Sequence, residues 1–326
     1  MRLFVTGSIA FDYIMVFPGR FRDHILADKM HVLSVSFLVD SLKRRRGGTG
    51  ANIAYNLALL GAKPVLVGTV GEDFSDYRDW LQQAGVDLSG VKIIADEHTA
   101  SCFINTDLQD NQITAFYPGA MTKAATVSPC ADLSATADDL VIIAPNDPAA
   151  MARYASECTA KGVPYLYDPS MQLPRMTADE LNEGLAGAKV LAGNDYEFGM
   201  MASKLGISEP ELRSRVPISV MTRGEAGSVI TVEGKDHEIP PATPREVVDP
   251  TGAGDAFRAG FVQGMAGGLD WPEVGRLAAL TAVHAIEHRG TQEHRYTLAE
   301  FAARYRDCFG ASKSVEALLA GTGASA

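Results

Sequence analysis

The residues with the clearest chemical capacity lie in one run, Asp249–Phe257, which reads DPTGAGDAF. Gly252 and Gly254 permit tight turning and bring backbone amides close to a ligand. The spacing predicts a helix from about Asp255 to Met265. The free N–H groups and positive dipole end of such a helix form an anion site suited to a phosphate group. Asp255 at that start has two readings: an N-cap that only closes the helix, or a general base beside the phosphate. No Walker A loop accompanies it, since GxxxxGK[ST] occurs nowhere in the chain. A dinucleotide fingerprint is not matched either, because Phe257 stands where the third glycine belongs.

A second glycine cluster, GGTGAN at Gly47–Asn52, leads into a helix expected over Ala51–Leu60. It is either a flexible loop before an ordinary helix or a hinge, with the Asn52 amide aimed at whatever the hinge covers. Asp12, NDYE at Asn194–Glu197 and TRGEAG at Thr222–Gly227 each follow a candidate strand. Singly they are what a turn requires; together they would converge on one side of a sheet. The basic run Lys43–Arg46 reads as a solvated strand end, with Arg46, beside the glycines, the member placed to touch an acidic ligand. HAIEH at His284–His288 fits an inverted zinc-hydrolase pattern, but no downstream segment offers a persuasive third ligand.

The elements that must position these residues alternate. Strands are expected at Leu3–Ile9, Pro64–Val70, Leu140–Ala144, Pro164–Tyr167, Val190–Ala192, Ile218–Met221 and Ser228–Val232. Helices are expected at Ala149–Lys161 and Ala178–Ala186. That alternation predicts an α/β sheet with mostly parallel strands and a ligand crevice beyond their carboxyl ends. Two segments depart from it. His31–Asp40 alternates, with Leu33, Val35, Phe37 and Val39 on one face, and Thr99–Thr106 with Gln112–Tyr117 reads as a hairpin. Both predict a small accessory sheet or lid, the alternative being an edge extension of the main sheet. Its aromatics Phe37, Phe103, Phe116 and Tyr117 are either its own small core or a platform for a nucleobase. Gly321–Ala326 reads as a frayed end.

Composition sets the limits. The chain has 326 residues, of which 46% are hydrophobic and 21% charged, which excludes an intrinsically disordered protein. No apolar run approaches the roughly 18–20 residues of a membrane span. MRLFVTGSIAFD reads as a first strand, not a signal peptide. Lys+Arg of 29 against Asp+Glu of 40 gives a net charge of −11, which argues against nucleic-acid and membrane-surface roles. Cys102, Cys130, Cys158 and Cys308 show no CxxC pair and suit a reduced cytoplasmic protein. The 31 glycines exceed the usual share, and several of them (Gly47, Gly48, Gly224, Gly252 and Gly254) fall where amides or a hinge are needed.

Taken in order, GSIAFD, GGTGAN, NxxE, TRGEAG and DPTGAGDAF resemble the ribokinase-like (PfkB-type) carbohydrate and nucleoside kinases over roughly residues 3 to 310. The resemblance implies a three-layer α/β/α domain (1–11, 48–97 and 122–312), a β-sheet lid (12–47 and 98–121) and a C-terminal tail (313–326). It implies Asp255 as catalytic base and Gly252, Ala253 and Gly254 as an anion hole. Asp12 and Asn52 match positions that grip sugar hydroxyls, with Gly48 close to the sugar. Asn194 and Glu197 match the motif that organises magnesium (Mg2+), largely through water, and Thr222 and Gly224 match the nucleotide-phosphate loop. Asp249 and Thr251 fall where some relatives place a monovalent-cation (K+) loop. ITAFYPGAM at Ile113–Met121 and EHRGTQEH at Glu287–His294 are closer to the microbial adenosine and nucleoside kinase branch. Thr49 stands where ribokinase itself normally has lysine.

The reaction implied is ATP-dependent phosphorylation of a nucleoside 5′-hydroxyl, adenosine above others, with Asp255 taking the proton. A sugar kinase of the same fold and a non-catalytic nucleoside-binding regulator are the alternatives. The partners implied are ATP and a nucleoside or sugar. The apolar face at Leu33–Val39 can form a homodimer seam or cover the substrate.

Overall fold

The computed structural model describes residues 1–25, 31–32 and 34–323. The chain enters through β1 (Leu3–Thr6), an LFVT run buried throughout, and passes into β2 (Ala10–Val16) of a second sheet. β3 (Ser41–Gly47) pairs antiparallel with β2 and delivers the chain to α1 (Thr49–Leu59). β4 (Val65–Val70), α2 (Ser75–Ala84) and β5 (Asp87–Ile93) follow, and then the hairpin β6 (Ala100–Thr106) and β7 (Gln112–Tyr117). The small sheet has the order β3-β2-β6-β7.

After the hairpin the chain alternates as its sequence pattern requires. β8 (Leu140–Ile143) is followed by α3 (Pro148–Lys161), which starts where Asp147 caps the Ala150 amide and Pro148 occupies the first turn. β9 (Tyr165–Tyr167) precedes α4 (Ala178–Leu185), opened by a Thr177–Glu180 capping box. Then come β10 (Val190–Asn194), α5 (Asp195–Leu205), α6 (Glu209–Ser214), β11 (Ile218–Thr222) and the meander β12 (Ser228–Val232) and β13 (Lys235–Ile239). Four helices close the chain: α7 (Ala253–Ala266), α8 (Trp271–Ile286), α9 (Leu298–Phe309) and α10 (Lys313–Gly323).

The nine-stranded sheet has the order β13-β12-β11-β10-β9-β8-β1-β4-β5, and its strands run parallel except β12, which is antiparallel to both β11 and β13. Side-chain alternation divides its two faces. Val5, Ile142, Leu166 and Val220 pack against α1, α2, α7 and α8. Phe4, Ile143, Tyr167 and Leu191 pack against α3, α4, α5 and α6. The result is a three-layer α/β/α core beside a small sheet, the fold class expected. Strand order reverses at β1, between β8 and β4, so a crevice opens beyond the carboxyl ends of the central strands.

Two local expectations are corrected. Residues 34–39 of the His31–Asp40 segment form no strand, although Val35, Phe37 and Val39 are half-buried while Ser34, Ser36 and Leu38 are exposed. Leu33 lies outside the described residues. The strand is β3, built from the KRRR run and paired along the whole of β2, while residues 34–39 pack through Phe37 on Phe17 and Phe21. At the C-terminus, residues 313–323 are helical, not a tail: Val315 and Leu319 are buried against α8 and α9. Residues 324–326 lie outside the described set.

Candidate active site

Helix α7 begins at Gly252, whose φ of 80° is the left-handed conformation that favours glycine. A Cβ there would also lie 2.8 Å from Thr291 Cγ2. No side chain caps the helix, so amides at its start keep the donor capacity expected of a helix N-terminus. Asp255 is the third helical residue and not the cap. Its Oδ2 accepts a 2.8 Å hydrogen bond from Asn52 Nδ2. Asn52 sits in the first turn of α1, which starts from Gly48 at φ 92° because that backbone passes close to Ser8. Two glycine-led helices thus bring together groups from opposite ends of the chain.

A buried hydrogen-bond network supports this pair. Asn52 Oδ1 accepts from Thr291 Oγ1 and from Gln292 Nε2, each at 2.8 Å. Gln292 Nε2 also donates to Tyr77 Oη, and Tyr77 donates to the Gly47 carbonyl at 2.8 Å. Thr291, Gln292 and Tyr77 carry no local motif, and sequence reasoning did not pick them as site residues; only the EHRGTQEH run drew attention to that loop.

The carboxylates around the pair share an electrostatic field. Asp12, on β2, packs against Gly47, and burial pushes its carboxyl up to about 6, helped by the charges of Asp249 and Asp255. Burial likewise raises Asp255 to about 6; Arg258 and the Asn52 hydrogen bond oppose that rise, and Glu197 adds to it. Asp249 goes the other way. Burial disfavours its charge, but Thr251, the Gly290 amide and Arg45 outweigh that and hold it below the ordinary range. Its two oxygens accept from the Thr251 and Gly290 amides at 3.0 and 2.9 Å.

Arg258, one turn along α7 and buried, makes a two-point ion pair with Asp168, which is 1% exposed. Its other contact is Glu197 Oε2 at 3.8 Å. Neither Arg258 nor Asp168 was selected from sequence, although Asp168 directly follows β9, a carboxyl-end position that could have flagged it. Asn194 and Glu197 form the capping box of α5: Asn194 Oδ1 accepts from the Glu197 amide, and Glu197 Oε2 from the Asn194 amide. Glu197 Oε1 accepts from Ser170 Oγ at 2.6 Å. Thr222 ends β11 in register with Asn194, and Gly224 follows in an exposed turn.

Register sorts the aromatic candidates. Asp12, Arg45, Cys102 and Phe116 form one cross-strand row and share a face of the small sheet. Phe103 lies on the opposite face, stacked on Tyr13 at 4.9 Å, and Tyr117 shares that face. Phe37 packs against Phe17 and Phe21. Phe116 is therefore the one aromatic of the four that accompanies Asp12.

The other motifs are engaged elsewhere. Arg46 lies 4.3 Å over the Trp80 ring, and Arg44 pairs with Asp76. His284 is packed among Tyr296 and Phe301, where burial pushes it down to about 4, and Glu287 is paired with Arg304. Among the described residues no helix is long and apolar enough to cross a membrane.

Comparison with known proteins fits this architecture. The model of the pfkB family carbohydrate kinases matches residues 10–297. The chain belongs to that family. As a pfkB-family member it is a phosphotransferase with an alcohol group as acceptor. A nucleoside kinase of Methanothermobacter thermautotrophicus is 33% identical over 93% of this chain and 95% of its own. The structure of Burkholderia thailandensis nucleoside kinase in complex with ADP-inosine is 39% identical, with a TM-score of 0.82 over 95% of this chain and 98% of that one. Methanocaldococcus jannaschii nucleoside kinase, described as an archaeal member of the ribokinase family, is 28% identical, with a TM-score of 0.82 over 94% and 98%. The ribokinase-like fold of this pfkB kinase follows from those likenesses.

Proposed function

We propose that this kinase transfers the γ-phosphoryl group of ATP to the 5′-hydroxyl of a nucleoside, adenosine being the first substrate to test. The observation that carries the reading is the Asn52–Asp255 contact at the uncapped start of α7. It joins a carboxylate, an amide and an anion-binding helix terminus at the carboxyl side of a ribokinase-like sheet. The relatives named above support nucleoside as substrate and ATP as donor.

In this reading Asp255 accepts the hydroxyl proton as the 5′ oxygen attacks the γ-phosphorus and ADP departs. The amides of Gly252, Ala253 and Gly254 stabilise the charge of the migrating group. Asp12 and Asn52, with Gly48 beside them, hold the ribose, and Phe116 stacks on the base. Thr222 and Gly224 line the nucleotide phosphates. Together these contacts align the reactants, where most of the rate enhancement arises.

Glu197 fits magnesium only at one remove. Both of its oxygens already accept hydrogen bonds, and no group of three or more ligating side chains occurs among the described residues. Such a carboxylate would hold the ion through water while the phosphates bind it directly; the ion would neutralise phosphate charge. Asp249 and Thr251 stand as the candidate K+ loop. The small sheet acts as a lid that closes over the nucleoside and excludes water, and homodimerisation through that sheet belongs to the same proposal. Cys102, Cys130, Cys158 and Cys308 are all free thiols, which suits the cytoplasm.

A coupled ADP-release assay over adenosine, inosine, cytidine, ribose and fructose tests the reading. Turnover of nucleosides with 5′-monophosphate as product is expected, with adenosine leading. Turnover of free sugars alone would replace it with a sugar kinase, and binding without turnover with a regulator.

A further inference from the structure

The loop between α8 and α9 places Thr291 and Gln292, 4% and 1% exposed, against the Asn52–Asp255 pair. Counting hydrogens assigns them unequal parts. Thr291 Oγ1 carries one hydrogen and has two acceptors in reach, Asn52 Oδ1 at 2.8 Å and the Arg46 carbonyl at 3.1 Å. Gln292 Nε2 carries two hydrogens for two acceptors, Asn52 Oδ1 and Tyr77 Oη. Tyr77 commits its own hydrogen to the Gly47 carbonyl. The donor chain therefore has a fixed direction, and Gln292 is the group with a hydrogen to assign to Asn52.

That direction reaches the carboxylate. With its oxygen engaged by Gln292, the Asn52 amide must turn its NH2 toward Asp255. The reversed amide would set an oxygen against the carboxylate and its NH2 against the NH2 of Gln292, an arrangement compatible only with protonated Asp255. We propose that Gln292 is a positioning residue: it locks the Asn52 amide with NH2 toward Asp255 and so holds that carboxylate ionised, able to accept a proton. The inference rests on the reading of Asp255 as the base.

Other ionisable groups face Asp255 from each packed element: Arg258 on α7, Glu197 on α5, Asp168 after β9, Asp12 on β2 and Tyr77 on α2. Of these only Tyr77 touches Gln292.

The test is a carbon-13 carboxyl titration of Asp255 in the full-length protein, its resonance assigned by loss in Asp255→Asn. Gln292→Met removes both donors without adding charge, and Gln292→Glu replaces them with acceptors. Both should raise the Asp255 midpoint, by about one pH unit, as expected when a hydrogen bond to a charged form is lost. In an Asn52→Ala background Gln292→Met should add no further rise. The acid limb of kcat should move with the midpoint while KM for ATP stays unchanged. A midpoint unmoved in Gln292→Met, or an equal rise without Asn52, would overturn the proposal. So would a rise confined to Gln292→Glu, which would reflect added charge. If Gln292→Met does not fold, Gln292→Leu, equally without donors, is read the same way, and Thr291→Val, which leaves the Gln292 donor in place, should not move the midpoint. The titration needs no turnover, so a protein that phosphorylates no nucleoside leaves it readable and the two readings fail separately.

Discussion

Asn52 Nδ2 lies 2.8 Å from Asp255 Oδ2, although 203 positions separate the two residues in the chain. The contact ties the first turn of α1 to the first turn of α7. Whatever moves the Gly47–Gly48 junction therefore also moves a partner of the carboxylate that we read as the base. Burial around the pair keeps Asp255 and Asp12 both near 6, so charge at this site is balanced closely around neutral pH.

Replacing the base should trade activity for stability. Asp255→Asn keeps an oxygen to accept from Asn52 but cannot take a proton, so kcat should fall by about 10²–10⁴. The folded carboxyl is raised from 3.8 to about 6, so native Asp255 binds more protons than the unfolded chain across that window, and its contribution to stability falls as pH rises through it. Above about pH 7 the variant should be more stable by about 1–2 kcal/mol. Steady-state kinetics and a thermal melt at pH 7.5 check both halves; unchanged turnover would remove Asp255 from the chemistry.

The pH dependence should show a pair of acids. Asp12 and Asp255 are both raised to about 6, whereas Asp249 is lowered and stays ionised. kcat/KM should drop steeply below about pH 6 and level above pH 7, as expected when two carboxylates must be ionised together. Asp12→Asn should leave a shallower acid limb. A profile flat down to pH 5 would show that neither ionisation matters.

Arg258 and Asp168 form a buried pair whose halves are not independent. Arg258→Met strands the Asp168 carboxylate in the core and should cost about 3–5 kcal/mol, the range for breaking a buried ion pair from one side. The double variant Arg258→Met/Asp168→Leu should recover most of that loss. Urea unfolding of the three variants completes the cycle, and additive single effects would contradict the pairing.

The two faces of the small sheet should behave differently. Phe116 shares a row with Asp12, so Phe116→Ala should raise KM for the nucleoside about 5- to 150-fold, the equivalent of about 1–3 kcal/mol for one stacked base. Phe103, stacked on Tyr13 on the other face, should leave that KM within about twofold when changed to Ala. Calorimetric titration with nucleoside distinguishes them, and equal effects would mean that the stacking surface is not on the Asp12 face.

Much of this molecule is written locally. Strand runs such as LFVT, the alternation of strands with helices, the glycines before α1 and α7 and the NxxE box are short-range signals. They sufficed for the α/β class and for singling out Asp255, Asn52 and Asp12 as candidates, each with a structural reading beside the functional one. Even there a local signal can carry a second meaning, since Asn194 and Glu197 cap their own helix whatever else they hold. Residues 34–39 kept a period-two burial without a strand because side-chain packing, here Phe37 on Phe17 and Phe21, can bury alternate residues without ladder hydrogen bonds. Val315 and Leu319 sit one helical turn apart, a spacing eclipsed in sequence by the small residues after them.

What only tertiary structure decided are the contacts that close over long loops. Arg258 within a helix reads as a solvated charge until β9 brings Asp168 beneath it. Thr291, Gln292 and Tyr77 match no motif, because hydrogen-bond direction depends on which acceptors surround a group in space. The face on which Phe116 lies follows from strand register, and a shift of one residue would reverse it. Sequence alone determined which residue types could do phosphoryl chemistry; packing decided which of them meet, and in which orientation.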